Sequence, residues 1–248
     1  RNEQTTMIPL EKKMLSGFDM SKFVVCTDAG LSSATNRAFN SYDGENGMRG
    51  YITTQPIKTL KGFLQEWCMA DDGWFLEGDR NGKKYKLSEL DDEKDRDKIF
   101  YRSRWIKEKS LVHTDNGDRK QIMEQKLIVS CSIKYRDFQR QVREGQIERA
   151  MKMVEKGSAA VEKKRQNDPR RFIKTDHITQ DGEIAEIATN CLDRSAVEYE
   201  AKYDGFYAVC TNLDDSIGSI VKANKRRWEI EECFRIMKTD FEARPVYL

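Results

Sequence analysis

The run Lys22-Phe-Val-Val-Cys-Thr27 does most to limit the folds open to this 248-residue chain. Apolar and β-prone on successive residues, it has the pattern of a buried strand, not one wetted along one face. It stops at Asp28-Ala-Gly30. Ser32 or Ser33 is placed to cap a helix from Ala34 to Tyr42 by accepting an N–H of its first turn. Gly50-Tyr-Ile-Thr-Thr54 reads as a second strand, stopped by Pro56. Strand, helix and strand in that order predict a parallel α/β unit, because parallel strands need a crossover of about a dozen residues or more. Such folds present ligand groups at the exposed ends of their strands, where Asp28 falls. Asp before small residues is also an ordinary turn residue, and both readings of Asp28 stand at this point.

Beyond Pro56 the pattern changes. Residues 72–90 are rich in turn signals, with short alternating runs such as Lys84-Tyr-Lys-Leu. Residues 99–106 and 125–133 read as strands, with Asn116-Gly between them as a hairpin signal. Residues 136–166 form a long charged helical stretch with Phe138, Val142, Ile147, Met151, Val154 and Val161 at helical spacing, ended by Asn167-Asp-Pro169. Residues 198–212 resemble a hairpin turning at Asp204-Gly205 into the strand Phe206-Tyr-Ala-Val-Cys-Thr211. A final helix starts near Asp215 or Ser216. Trp74 and Trp105 suit strand core, or alternatively stacking on an unpaired base.

The formal charge of +2 conceals local imbalance. Residues 134–174 hold thirteen Lys/Arg against six Asp/Glu, while residues 66–97 hold eleven acids against six bases and residues 175–205 eight against two. A basic segment between acidic ones suits a polyanion surface on one face, or equally a solvated charged helix. No apolar run approaches the roughly 20 residues that span a bilayer, so no membrane partner is expected. The six cysteines (26, 68, 131, 191, 210, 233) form no CxxC pair, which favours reduced thiols in a cytoplasmic protein over a zinc site or disulfide framework. Only His113 and His177 are available for a histidine-based nucleophilic mechanism, both in polar surroundings, and there is no glycine-rich phosphate loop. Carboxylate chemistry remains.

The last helix, Asn224-Lys-Arg-Arg-Trp-Glu-Ile-Glu-Glu-Cys-Phe-Arg-Ile-Met-Lys238, sets one carboxylate among cations. At about 100° per residue, Asn224, Arg227, Glu231, Arg235 and Lys238 share an arc of roughly 80°, with Ala223, Ile230, Cys233, Phe234, Met237 and Phe241 on the adjoining arc. A carboxylate at the rim of a buried face can hold a divalent cation while the Arg and Lys groups take phosphate oxygens. The competing reading is a surface helix stabilised by pairs of opposite charge.

Phe23-Val-Val-Cys-Thr-Asp28-Ala-Gly30-Leu-Ser-Ser-Ala-Thr-Asn36 resembles the second-carboxylate region of DDE transposases from bacterial insertion sequences. Tyr203-Asp-Gly-Phe-Tyr-Ala-Val-Cys-Thr-Asn212 with Arg227-Trp-Glu-Ile-Glu231-Glu-Cys-Phe-Arg-Ile-Met-Lys238 and Arg244-Pro-Val-Tyr247 is similar to their third-carboxylate region. The group in question carries a Tyr-x2-Arg-x3-Glu-x6-Lys motif. Arg227, Glu231 and Lys238 match its spacing, and Asn224 stands where the motif has tyrosine.

This resemblance implies an α/β, RNase H-like core, partial in this chain, interrupted by a large β-rich insertion with a long charged helix. Residues 1–60 would be the second-acid segment, 61–205 the insertion with its basic helix at 136–166 facing DNA phosphates, and 206–248 the return of the core with the third-acid helix. Asp28 and Glu231 would be catalytic metal ligands in a site for two Mg²⁺ ions, and Arg227, Lys238, Arg235 and Asn224 would grip DNA phosphates. The resemblance further implies DNA partners (transposon ends and target), a homodimer in the DNA complex, and a bacterial cytoplasm with nucleoid association. The first acid of such a core lies on the opening strand, several elements ahead of the second. Only 27 residues precede Asp28, so the expectation is that this acid lies upstream of Arg1. The alternative is a remnant that binds DNA or the full-length protein without catalysis.

Overall fold

A computed structural model describes residues 4–17, 22–44, 47–79, 82–114, 117–156, 167–177 and 188–239. The chain divides into two compact units, one of Arg1–Ser88, Phe100–Ser130 and Tyr207–Leu248, the other of Glu89–Ile99 and Cys131–Phe206.

The first unit opens with helix α1 (Gln4–Gly17) and strand β1 (Lys22–Thr27). Helix α2 (Ala34–Phe39) follows, its first turn held by Ser33 Oγ, which accepts from Asn36 N at 3.2 Å. It stops short of the expected Tyr42 because Asn40 takes over as the cap. Tyr42 instead opens β2 (Tyr42–Gly44), its ring 4.6 Å from the Arg49 guanidinium. Strand β3 (Gly47–Thr54) pairs antiparallel with β2 and parallel with β1, from Lys22 opposite Met48 to Thr27 opposite Thr53. The parallel strand–helix–strand unit expected from the sequence is therefore present.

Helix α3 (Gly62–Met69), β4 (Phe75–Leu76), β5 (Phe100–Thr114) and β6 (Gly117–Cys131) come next, then β9 (Phe206–Thr211) and α6 (Ile217–Thr239), numbered to leave β7, β8, α4 and α5 for the second unit. One mixed seven-stranded sheet runs in the order β1-β3-β9-β6-β5-β4, with β2 at the side of β3. The β5–β6 hairpin lies within residues 61–205, the expected insertion, and continues the sheet of β1 and β3. Asn116 of its turn signal is outside the described residues; Gly117 takes a φ of 103°, which suits glycine. Ile133, expected as strand, is helical, because Ser132 caps a helix there.

Ile52, Tyr101, Ile128, Val209, Leu213 and Ile220 form a buried cluster between the sheet and α6, with Val24, Cys26, Tyr207 and Ala223 packed against it. The other sheet face meets α2, and α3 turns its buried Leu64 and Cys68 inward. Trp74 is fully buried, as a strand-core tryptophan should be, whereas Trp105 is 41% exposed.

The second unit is built on α4 (Ile133–Glu155), β7 (Ile173–His177), β8 (Ala188–Leu192) and α5 (Arg194–Ala201). Ala150, Phe172 and Ile173 make its core, with Ile147, Val154, Leu192 and Val197 around them. Residues 198–201, expected as one arm of a hairpin, belong to α5. Asp193 caps that helix by accepting from Ala196 N at 3.1 Å, and this local bond decides the conformation. Only the return strand β9 matches the expectation.

Candidate functional site

Asp28 lies just past the end of β1, exposed, in an extended conformation (φ −77°, ψ 178°). Its Oδ1 accepts from Leu31 N at 3.0 Å, and its carbonyl accepts from Thr53 Oγ1 at 3.2 Å. The turn reading of this residue is thus correct, and it leaves the rest of the carboxylate facing solvent. Val24 and Cys26 pack towards α6, and the extended backbone at Asp28 continues that alternation.

Helix α6 runs beside β1 in the same direction. Lys22 Nζ meets Asp215 at 3.1 Å just ahead of the helix, and Cys26 Sγ lies 4.0 Å from the Ala223 carbonyl further along. Two residues beyond Cys26 amount to about 7 Å of strand, which helix α6 covers in roughly four residues. The level of Asp28 is therefore reached at Arg227, and Glu231 follows one turn later. Burial pushes the Cys26 thiol up, opposed by the positive charge of the Arg227 guanidinium.

The side chains of Glu231, Arg235 and Lys238 are outside the described residues, although their backbone belongs to α6. Asn224 is described. It is 6% exposed and donates through Nδ2 to the Tyr207 hydroxyl at 3.3 Å, which in turn meets Thr54 Oγ1 at 2.8 Å. Its carboxamide packs against β9 and β3. Among the described residues, no group of three or more His, Cys, Asp or Glu side chains clusters as a metal site would.

The basic helix looks different once its partners are known. Lys134 pairs with Asp97 at 3.6 Å and Arg136 with Asp92 at 2.9 Å. Arg143 grips Asp204 with two bonds of 2.5 and 2.6 Å, and Arg140 lies 3.8 Å from the same carboxylate. Four cations of α4 are thus paired with carboxylates of their own unit. Residues 157–166, which carry the rest of the expected helix, are outside the described residues.

A cavity of about 550 Å³, which spacing in the sequence did not reveal, opens on the α2 face. Ala29 and Ser32 after β1, Gln55 and Pro56 after β3, and Arg37, Lys61, Phe63, Arg104, Lys107 and Glu108 line it. Because β1 and β3 are parallel, the cavity sits at the same strand ends as Asp28. Arg37 Nη1 donates to Glu108 Oε2 and Gln125 Oε1, each at 3.0 Å, and Tyr51 donates to the same Gln125 oxygen at 2.8 Å. On the outer side, the Arg102 guanidinium lies 4.3 Å from the Trp67 ring and 5.4 Å from Trp74, and Arg104 lies 5.3 Å from Trp67.

Burial pushes the thiols of Cys68 and Cys210 up to about 12 and that of Cys131 to about 11, so all three stay protonated and inert. No helix among the described residues is long and apolar enough to cross a membrane. No family model matches the chain, and neither the curated proteins nor the solved structures contain a match to it.

Proposed function

We propose that this chain is the C-terminal catalytic part of a DDE transposase, with an RNase H-like core that cuts and joins DNA phosphodiesters. The observation that supports the reading is the run of α6 alongside β1, from Lys22–Asp215 to Cys26–Ala223, with the Asp28 carboxylate exposed at the strand's end. Asp28 offers a hard oxygen donor at a solvent-facing strand end, the chemistry a Mg²⁺ ion takes. Asp28 and Glu231 would hold Mg²⁺ together with a further carboxylate from outside these two segments. Bound there, Mg²⁺ supplies Lewis-acid stabilisation of the attacking and leaving oxygens of a phosphodiester. Arg227 neutralises and orients a phosphate beside the site, and Lys238 and Arg235, further along the same helical arc, hold the strand on either side of it. DNA is the partner, engaged by a homodimer in the bacterial cytoplasm.

The test is nicking of supercoiled plasmid and of duplex ends by the full-length protein in the presence of Mg²⁺. Glu231→Ala is expected to lower the cleavage rate roughly a thousandfold, from several kcal/mol of lost charge stabilisation, with DNA affinity held within about twofold. Cleavage that survives chelation by EDTA, or a parallel loss of binding and cleavage, would remove Glu231 as a metal ligand.

A further inference from the structure

The cavity on the α2 face has a feature the proposed metal chemistry does not use. The Arg37 side chain is 11% exposed and donates through Nη1 to Glu108 and Gln125. Its Nε is buried with no acceptor among the described residues. Arg37 thus lines the cavity as a cation held in place through Nη1 by Glu108 and Gln125. Lys61, Arg104 and Lys107 bring further positive charge to the same walls, against the single carboxylate of Glu108, which is already engaged by Arg37 and Gln125. The volume exceeds what a bare phosphate needs and falls in the range of small-molecule sites. Pro56, Leu60 and Phe63 supply an apolar wall, with Phe63 60% exposed.

We infer that this cavity binds one nucleotide, its phosphate on Arg37 and the flanking cations and its ring against Phe63 and the outer face of Arg104. The phosphate is held by the positive charge of Arg37, Lys61 and Lys107, and the ring packs on the apolar and guanidinium surface of the wall. A free mononucleotide and a nucleotide within a single strand share this chemistry. The site lies on the opposite sheet face from α6 and stands independently of metal binding.

Isothermal titration of the chain with inorganic phosphate, dAMP and a ten-residue oligothymidylate, in low salt without divalent ions, tests it. dAMP is expected to bind more tightly than phosphate, and Arg104→Gln with Lys107→Gln to weaken binding by about tenfold or more; both side chains are exposed, so the fold is kept. Arg37→Gln, checked for folding by circular dichroism, is expected to remove phosphate binding. Binding of the oligonucleotide alone assigns the site to a strand, and binding of dAMP as well to the free nucleotide. Asp28→Asn is expected to bind all probes as the parent does. The inference falls if the parent chain binds none of them, if the Arg104 and Lys107 variants bind undiminished, or if Asp28→Asn abolishes binding. Nucleotide binding without any cleavage by the full-length protein would overturn the transposase reading and leave this site standing.

Discussion

Glu11 shows how a single residue can tie stability to pH. Its carboxyl is buried on α1, and burial pushes its pKa above the ordinary value of 4.5, opposed by the Asn40 hydrogen bond and the Arg49 charge. Asn40 Nδ2 donates to Glu11 Oε2 at 2.9 Å, while Glu11 Oε1 and Asn40 Oδ1 both lack partners among the described residues. A proton on the carboxyl answers both, since Oε1 can then donate to the asparagine oxygen. The folded chain therefore holds this proton to higher pH than the unfolded chain does. Stability from Glu11 is complete below pH 4.5 and is lost as pH rises through the folded value. Glu11→Gln, which supplies a permanent N–H, is expected to match the parent in acid and exceed it increasingly towards neutrality. Urea unfolding across pH 4 to 8 measures this, and a difference that stays constant with pH sinks the idea.

At the scale of elements, β3 and the chain after β9 approach closely where β3 has glycine. A methyl on Gly50 would lie 2.4 Å from Leu213 Cδ2 in the core, beside the Asn212 side chain that accepts from Tyr51 N at 2.9 Å. Gly50→Ala is expected to destabilise the fold by about 1–3 kcal/mol through overpacking. The readout is a lower urea midpoint at unchanged slope, and a midpoint equal to the parent's refutes the close approach. Elements of this kind were unevenly legible from sequence. β1, β3 and the β5–β6 hairpin announce themselves because apolar runs and turn glycines are local signals. Helices α1 and α3 carry no such punctuation. In α5, the Asp193 cap was the available cue, hidden by the stronger apolar run of β9. Asp28 was legible as a strand-end carboxylate, and the helical arc of Arg227 and Glu231 was legible from spacing. Asn224 shared that arc and went inside, because arc membership does not say how far along the helix the sheet still covers it. The Arg37 cavity was not legible at all: α2, β3, β5 and β6 each contribute one group to its network, and only the sheet order joins them.

For the whole molecule, the net charge of +2 is a poor guide to where a polyanion would lie. Cations on α4 are matched by Asp97, Asp92 and Asp204, whereas those around the cavity outnumber their one carboxylate. The affinity for single-stranded DNA should therefore fall with salt by an amount set by the cavity. Replacing Lys61, Arg104 and Lys107 with Gln is expected to reduce the slope of log affinity against log salt by about two, at roughly 0.7 per phosphate released. Replacing Lys134 and Arg140 is expected to leave it unchanged, and equal effects from the two sets would refute the assignment. Arg104 has one more consequence. It lines the cavity while lying 5.3 Å from the Trp67 ring, itself flanked on Arg102. An occupant stacked on Arg104 would change the electric field across that indole, and tryptophan fluorescence followed during titration would then report filling of the cavity without a label.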